Sequence, residues 1–192
     1  RFMRTRLLTL PLALLLAACA TTPPAPATQP AAISFHAGPD IMDPAPDFDL
    51  PDAHGGRFHL ADAEKRGPVL IIFYLGYQCP RCVAGLRDIE SRLDAIRATG
   101  TQVVAISPDS LDELKKSVDA FGDFPFPLLA DPDQTAFRAY GLVFGAGKDA
   151  VMFHGCFVAD KEGNLAVAVK SSHPYDNLDK LVQTLRGMND SK

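Results

Sequence analysis

The apolar positions of the chain change period at one place. Val69-Leu70-Ile71-Ile72-Phe73-Tyr74-Leu75 is an unbroken apolar run that ends at Gly76. Beyond it, Cys82, Leu86, Ile89, Leu93 and Ile96 fall at i, i+4, i+7, i+11 and i+14, one face of a helix. The pattern predicts a buried strand, a short turn and then a helix closed by Gly100. Gln102 to Ser107, with Val103, Val104, Ala105 and Ile106, reads as a second buried strand. Strand, helix and strand within about 40 residues predict a right-handed parallel unit.

The flanking segments extend this plan. Phe48-Asp49-Leu50 and Phe58-His59-Leu60 alternate around the Gly-rich stretch Asp52 to Gly56, a hairpin signal. Ser110 and Glu113 form a capping box for a helix with Leu111, Leu114, Val118 and Phe121 on its apolar face and Gly122 at its end. A loop follows, then a short apolar piece at Leu128-Leu129. A helix from Asp133 to Tyr140 comes next, then strands Ala150–Ala159 and Leu165–Val169 around a turn at Asp160–Asn164. Leu178, Leu181, Val182 and Leu185 mark a final helix. The fold class is α/β, with a central sheet flanked by helices and an N-terminal hairpin extension. Gly145-Ala146-Gly147-Lys148 mimics a nucleotide loop on paper, but it precedes a strand instead of opening a helix.

The chemistry gathers where the period changes. Cys79-Pro80-Arg81-Cys82 stands at the strand-to-helix junction, so the first turn of the helix is expected to carry both sulfurs. Pro80 suits the first helical position, which brings Cys79 to the free N–H groups and the positive end of the helix. Lowering a thiol from about 8.5 to about 7 needs roughly 2 kcal/mol. A helix end supplies about 0.3–1 kcal/mol; N–H hydrogen bonds and the Arg81 guanidinium are candidates for the rest. Cys82, one turn along, is placed to resolve whatever forms on Cys79. A structural disulfide and half of a zinc site are the alternatives, but no second Cys or His pair at short spacing accompanies the motif. A redox dithiol is the expected reading.

The N-terminal segment is of another kind. Arg1, Arg4 and Arg6 precede the apolar run Leu7 to Ala18, too short to span a bilayer as a helix. Leu16-Ala17-Ala18-Cys19 resembles a bacterial lipoprotein signal, which implies cleavage before Cys19 and a lipid on its thiol; ordinary secretory cleavage is the alternative. Residues 20–42, rich in Ala, Pro and Thr, read as a tether. Residues 43–192 remain as one domain. The expected location is extracytoplasmic, on the periplasmic side, anchored to a bacterial membrane. A formal net charge of −4, with no basic cluster beyond Lys115-Lys116, argues against nucleic acid as a partner.

From Asp43 to Leu185 the chain resembles the redoxins, the AhpC/TSA peroxiredoxin-like branch of the thioredoxin fold. The resemblance is carried by Ala45-Pro46-Asp47-Phe48-Asp49-Leu50, Tyr74 to Cys82, Val104-Ala105-Ile106-Ser107, Pro125 to Pro132, Tyr140-Gly141 and His154 to Asp160. It implies a thioredoxin-like fold and thiol chemistry at Cys79. Typical peroxiredoxins carry a Pro seven residues and a Thr three residues before the reactive Cys, where this chain has Ile72 and Gly76. The family's peroxide-binding Arg would align near His154. These departures make the motif look like a thioredoxin-type dithiol exchanger. The same alignment places His154 facing the Cys79 turn, where it would stabilise a thiolate or shuttle a proton; a structural His at a strand end is the alternative.

The expected function is therefore a membrane-tethered thiol oxidoreductase without cofactor or metal. Cys79 attacks a peroxide or a disulfide, Cys82 resolves the product, and a separate thiol electron donor restores the dithiol. Cys156 reads as a buried core thiol, and His36, His54, His59 and His173 as solvated. The Tyr77-Gln78-Cys79-Pro80 neighbourhood also resembles the Sco copper chaperones, which use two Cys and a distant His on this fold. That resemblance implies Cu(I) on Cys79, Cys82 and His154, although the Sco motif has one more residue between its cysteines.

Overall fold

The computed structural model describes residues 38–145, 147–172 and 175–190. The signal segment with Cys19, the tether as far as residue 37, His36 and His173 lie outside the described residues. The chain is already held to the domain before Asp43. The Met42 N–H donates to the Leu165 carbonyl at 2.8 Å, and Gly38 lies directly against Gly141.

The hairpin forms as expected from β1 (Asp49–Pro51) and β2 (Arg57–His59), with Leu50 opposite Phe58. A short helix, α1 (Leu60–Glu64), follows at once. Its five residues carry too little periodicity to be read from sequence. The apolar run becomes β3 (Val69–Phe73), the middle strand of a five-stranded mixed sheet. Next come α2 (Pro80–Glu90), α3 (Leu93–Arg97), β4 (Gln102–Ser107), α4 (Leu111–Phe121), β5 (Leu128–Ala130) and α5 (Thr135–Ala139). A two-stranded ribbon, β6 (Val143–Phe144) with β7 (Val151–Met152), leads to β8 (His154–Ala159), β9 (Leu165–Ser171) and α6 (Leu178–Asp190).

The sheet order is β5-β4-β3-β8-β9. β3 is parallel to β4 and antiparallel to β8, so it is covered on both edges and both faces. That is why it is apolar at every position. Leu70 and Ile72 point to one face, where they meet Cys82, Leu86 and Ile89 of α2, Leu93 and Ile96 of α3, and Val182 and Leu185 of α6. Val69, Ile71 and Phe73 point to the other face, toward Leu60, Phe137, Tyr140 and Phe157. Each such buried side chain stabilises the fold by about 1.5–3 kcal/mol.

Four expectations are corrected. The helix after the cysteines is not continuous. The Ser91 hydroxyl donates to the Asp88 carbonyl at 2.6 Å, and Arg92 leaves helical geometry (φ −107°, ψ 3°), which separates α2 from α3. The stripe survives because Leu93 and Ile96 remain buried. On α4 the capping box is present, but Phe121 lies exposed while Ser117 is buried. The helix expected from Asp133 begins two residues later, because Gln134 is left-handed (φ 56°) and the Asp131 carboxylate accepts the Thr135 and Phe137 N–H groups. The strand expected over 150–159 is broken at Phe153, β7 pairing with β6 and β8 with β3.

Two histidines read as solvated are exposed yet engaged. His54 bridges Asp52 and Asp123, at 3.2 and 3.0 Å, and ties the hairpin turn to the loop after α4. His59 bridges Asp47 and Asp62.

Candidate active site

The turn that leaves β3 delivers Cys79 to the end of α2. Gly76 holds φ at +97°, a conformation that side chains rarely adopt. The Asp109 carboxylate lies where a Cβ on that glycine would be, 2.5 Å from the ideal position. Asp109 accepts the Tyr77 N–H and the Ser107 hydroxyl, each at 3.0 Å. The Gly76 carbonyl in turn accepts the Cys79 N–H at 3.3 Å. Burial raises the pKa of the Asp109 carboxyl above its ordinary value. The sequence signal for Asp109 is its place just past the end of the parallel strand β4, where open α/β sheets collect functional groups.

Cys79 is the N-cap of α2 and not part of its first turn; Pro80 takes the first helical position. The Cys82 N–H at the helix start donates to the Cys79 carbonyl at 2.9 Å and also to the Cys79 sulfur at 3.2 Å. Cys79 and Cys82 are joined as a disulfide. Their exposure differs: Cys79 is half-buried, whereas Cys82 is only 1% exposed.

His154 is the first residue of β8. Gly155 pairs with Phe73 at the end of β3, so His154 lies just beyond that strand, where the turn to Cys79 begins. Its Nε2 is 3.1 Å from the Cys82 sulfur. The donor atoms of Cys79, Cys82 and His154 all lie within 4.8 Å of one another. Arg81 is exposed on α2 and lines, with Cys82 and His154, an open cleft of about 600 Å³. Cys79, Cys82 and His154 are thus grouped, and Arg81 lines the cleft beside the last two.

Tyr175, which no motif marks, also lines this cleft. Its hydroxyl donates to the Phe73 carbonyl at 2.5 Å, and its ring meets the His154 ring edge-on, with centroids 6.0 Å apart. Cys156 is a core residue, opposite Ile72 and Val169. Burial pushes its thiol up to about 12, so it is no nucleophile at neutral pH.

Three comparisons relate the chain to known proteins. Residues 41–168 match the AhpC/TSA family profile. The putative peroxiredoxin Rv2521 of Mycobacterium tuberculosis is 39% identical over 130 residues, covering 66% of this chain and 82% of that protein. Peroxiredoxin Bcp of Escherichia coli K12 is 29% identical over 100 residues, covering 52% of this chain and 63% of that one. Among solved structures, peroxidoxin BcpB from M. tuberculosis superposes with a TM-score of 0.69 at 25% identity, over 77% of this chain and 97% of the other. The family profile, the sequence similarity and the fold converge: the chain belongs to the AhpC/TSA family, and it is a thiol-dependent oxidoreductase on a thioredoxin-like fold.

Proposed function

We propose that this protein is an extracytoplasmic, lipid-anchored redoxin whose working group is the Cys79–Cys82 dithiol. The observation that carries the reading is the pairing of a half-buried Cys79 at the helix end with a fully buried Cys82 beside His154. In the reduced protein the Cys79 thiolate attacks. With a peroxide, an S–O bond forms, the O–O bond breaks and the leaving alkoxide takes a proton. With a disulfide, a mixed disulfide forms and a thiolate leaves. The Cys82 sulfur then attacks Cys79, its proton passing to His154, and water or the second thiolate departs. A dithiol donor then reduces the Cys79–Cys82 disulfide: one donor thiolate bonds to Cys79 and releases Cys82, and the second donor thiolate displaces Cys79, so the donor leaves as its own disulfide. It meets Cys79 first, because that sulfur is the more exposed, and Cys82 leaves as a thiolate next to the imidazole.

The relatives named peroxiredoxins favour a peroxide as oxidant; Ile72 and Gly76, at positions where the family pattern has Pro and Thr, and His154, near which its Arg would align, favour a disulfide. Stopped-flow oxidation of the reduced full chain by hydrogen peroxide and by a small-molecule disulfide decides between them. Peroxide reaction far faster than that of free cysteine makes it a peroxidase. Reaction no faster, with rapid disulfide exchange, makes it a disulfide oxidoreductase. Failure of both sinks the reading.

The anchor rests on the Leu16-Ala17-Ala18-Cys19 sequence. Labelled palmitate should enter the wild-type protein in cells and not the Cys19→Ser variant; equal labelling refutes it. A second reading, Cu(I) binding, is favoured by the close grouping of two sulfurs and one imidazole nitrogen. It applies to the reduced protein, whose thiolates are free to ligate. Stoichiometric Cu(I) uptake lost in His154→Ala supports it, and absence of uptake ends it.

A further inference from the structure

Gly85 occupies the interior of α2, where glycine is unfavourable relative to alanine. It follows Cys82 by three positions, about one helical turn. A Cβ there would lie 2.8 Å from Cδ2 and 3.3 Å from Cε2 of Tyr175. The tyrosine ring therefore rests on bare helix backbone.

The same ring meets His154 edge-on, and its hydroxyl is bonded to the Phe73 carbonyl at the end of β3. Burial raises the pKa of that hydroxyl far above its ordinary value, so it stays a donor. One side chain thus touches all three elements that build the site: α2, β3 and β8.

We propose that Tyr175 is a positioning residue: its ring, seated on Gly85 and fixed to Phe73, holds the His154 imidazole against the Cys82 sulfur. The proposal rests on the reading that His154 serves Cys82. The other charged groups lining the cleft are Arg81 and Asp88 of α2, the bonded pair Arg92 and Asp179, and Asp176. Tyr74 and Cys156, which also face Tyr175, are both kept protonated by burial.

The test uses the reduced full chain in a Cys79→Ser background and follows alkylation of Cys82 by iodoacetamide between about pH 5 and pH 11. The plateau at high pH reports access to the sulfur, and the midpoint reports its proton partner. His154→Ala should raise the midpoint by about one pH unit, a tenfold loss of thiolate fraction below it. Tyr175→Ala and Gly85→Ala should each move it to the same place, and neither should move it further when added to His154→Ala. Tyr175→Phe, which keeps the ring, should retain most of the wild-type profile. Gly85→Ala decides the matter if Tyr175→Ala does not fold, because alanine favours the helix while displacing the ring. An unmoved midpoint in Gly85→Ala, or equal shifts with and without His154, overturns the proposal. An unmoved midpoint in His154→Ala alone overturns the underlying reading, and the proposal with it.

Discussion

The Nε2 of His154 stands 3.1 Å from the sulfur of Cys82, the buried member of the pair. The two cysteines thus have different supports. Cys79 has one N–H of the helix start, that of Cys82, and Cys82 has an imidazole. A buried thiolate without a partner is costly, so the resolving step depends on His154 more than the first attack does. His154→Ala should slow formation of the Cys79–Cys82 disulfide by about 10²-fold or more, while the first reaction of Cys79 changes much less. Rapid-quench alkylation after a single oxidation checks both steps.

The turn before Cys79 depends on an equally local fit. A side chain at position 76 would need a strained φ and the space held by the Asp109 carboxylate. Gly76→Ala should therefore cost about 1–3 kcal/mol. Adding Asp109→Ala frees the space, so the double variant should lose less than the sum of the two single variants. Urea unfolding of the three proteins measures the coupling.

Asp109 itself separates charge from hydrogen bonding. Its raised pKa means that ionisation is disfavoured in the fold, so stability falls as pH rises from the ordinary carboxylate value through the raised one. Asp109→Asn keeps an acceptor for the Tyr77 N–H and should be close to neutral at pH 7. Asp109→Ala strands that donor and should cost about 1–3 kcal/mol. Thermal or urea unfolding distinguishes the two.

His54 holds a favourable charge instead of an unfavourable one. Its hydrogen bonds to Asp123 and then Asp52 raise its pKa above 6.5. Its contribution is therefore complete below about 6.5 and is lost as pH rises through the raised value. His54→Gln should be measurably less stable than wild type near pH 5.5 and equal to it near pH 8.5, with a small difference because the group is exposed. Urea midpoints at the two pH values check this.

Much of this was legible in the sequence where one local rule acted alone. β4 runs over Gln102–Ser107 as its apolar run indicates, and the Ser110–Glu113 box caps α4 as its spacing indicates. Cys79 and Cys82 stand at a strand-to-helix junction because the hydrophobic period changes there. What was not legible depends on distant partners. The bond from Tyr77 to Asp109 spans 32 residues, and that from Tyr175 to Phe73 spans 102. Which sulfur His154 would meet depends on the register of β8 against β3, which periodicity does not specify. The break at Ser91 arises from a side-chain bond that competes with the helix without disturbing its apolar stripe.

The order of events, Cys79 reacting first and Cys82 resolving, is open to direct measurement. Reduced Cys82→Ser and reduced Cys79→Ser are each given one equivalent of a small-molecule disulfide, and the adducts are followed by mass spectrometry. The predicted result is a stable mixed disulfide on Cys79 in the first variant and a reaction slower by about 10²-fold on Cys82 in the second. Equal or faster capture at Cys82 would contradict that order and assign the attack to the Cys82–His154 pair.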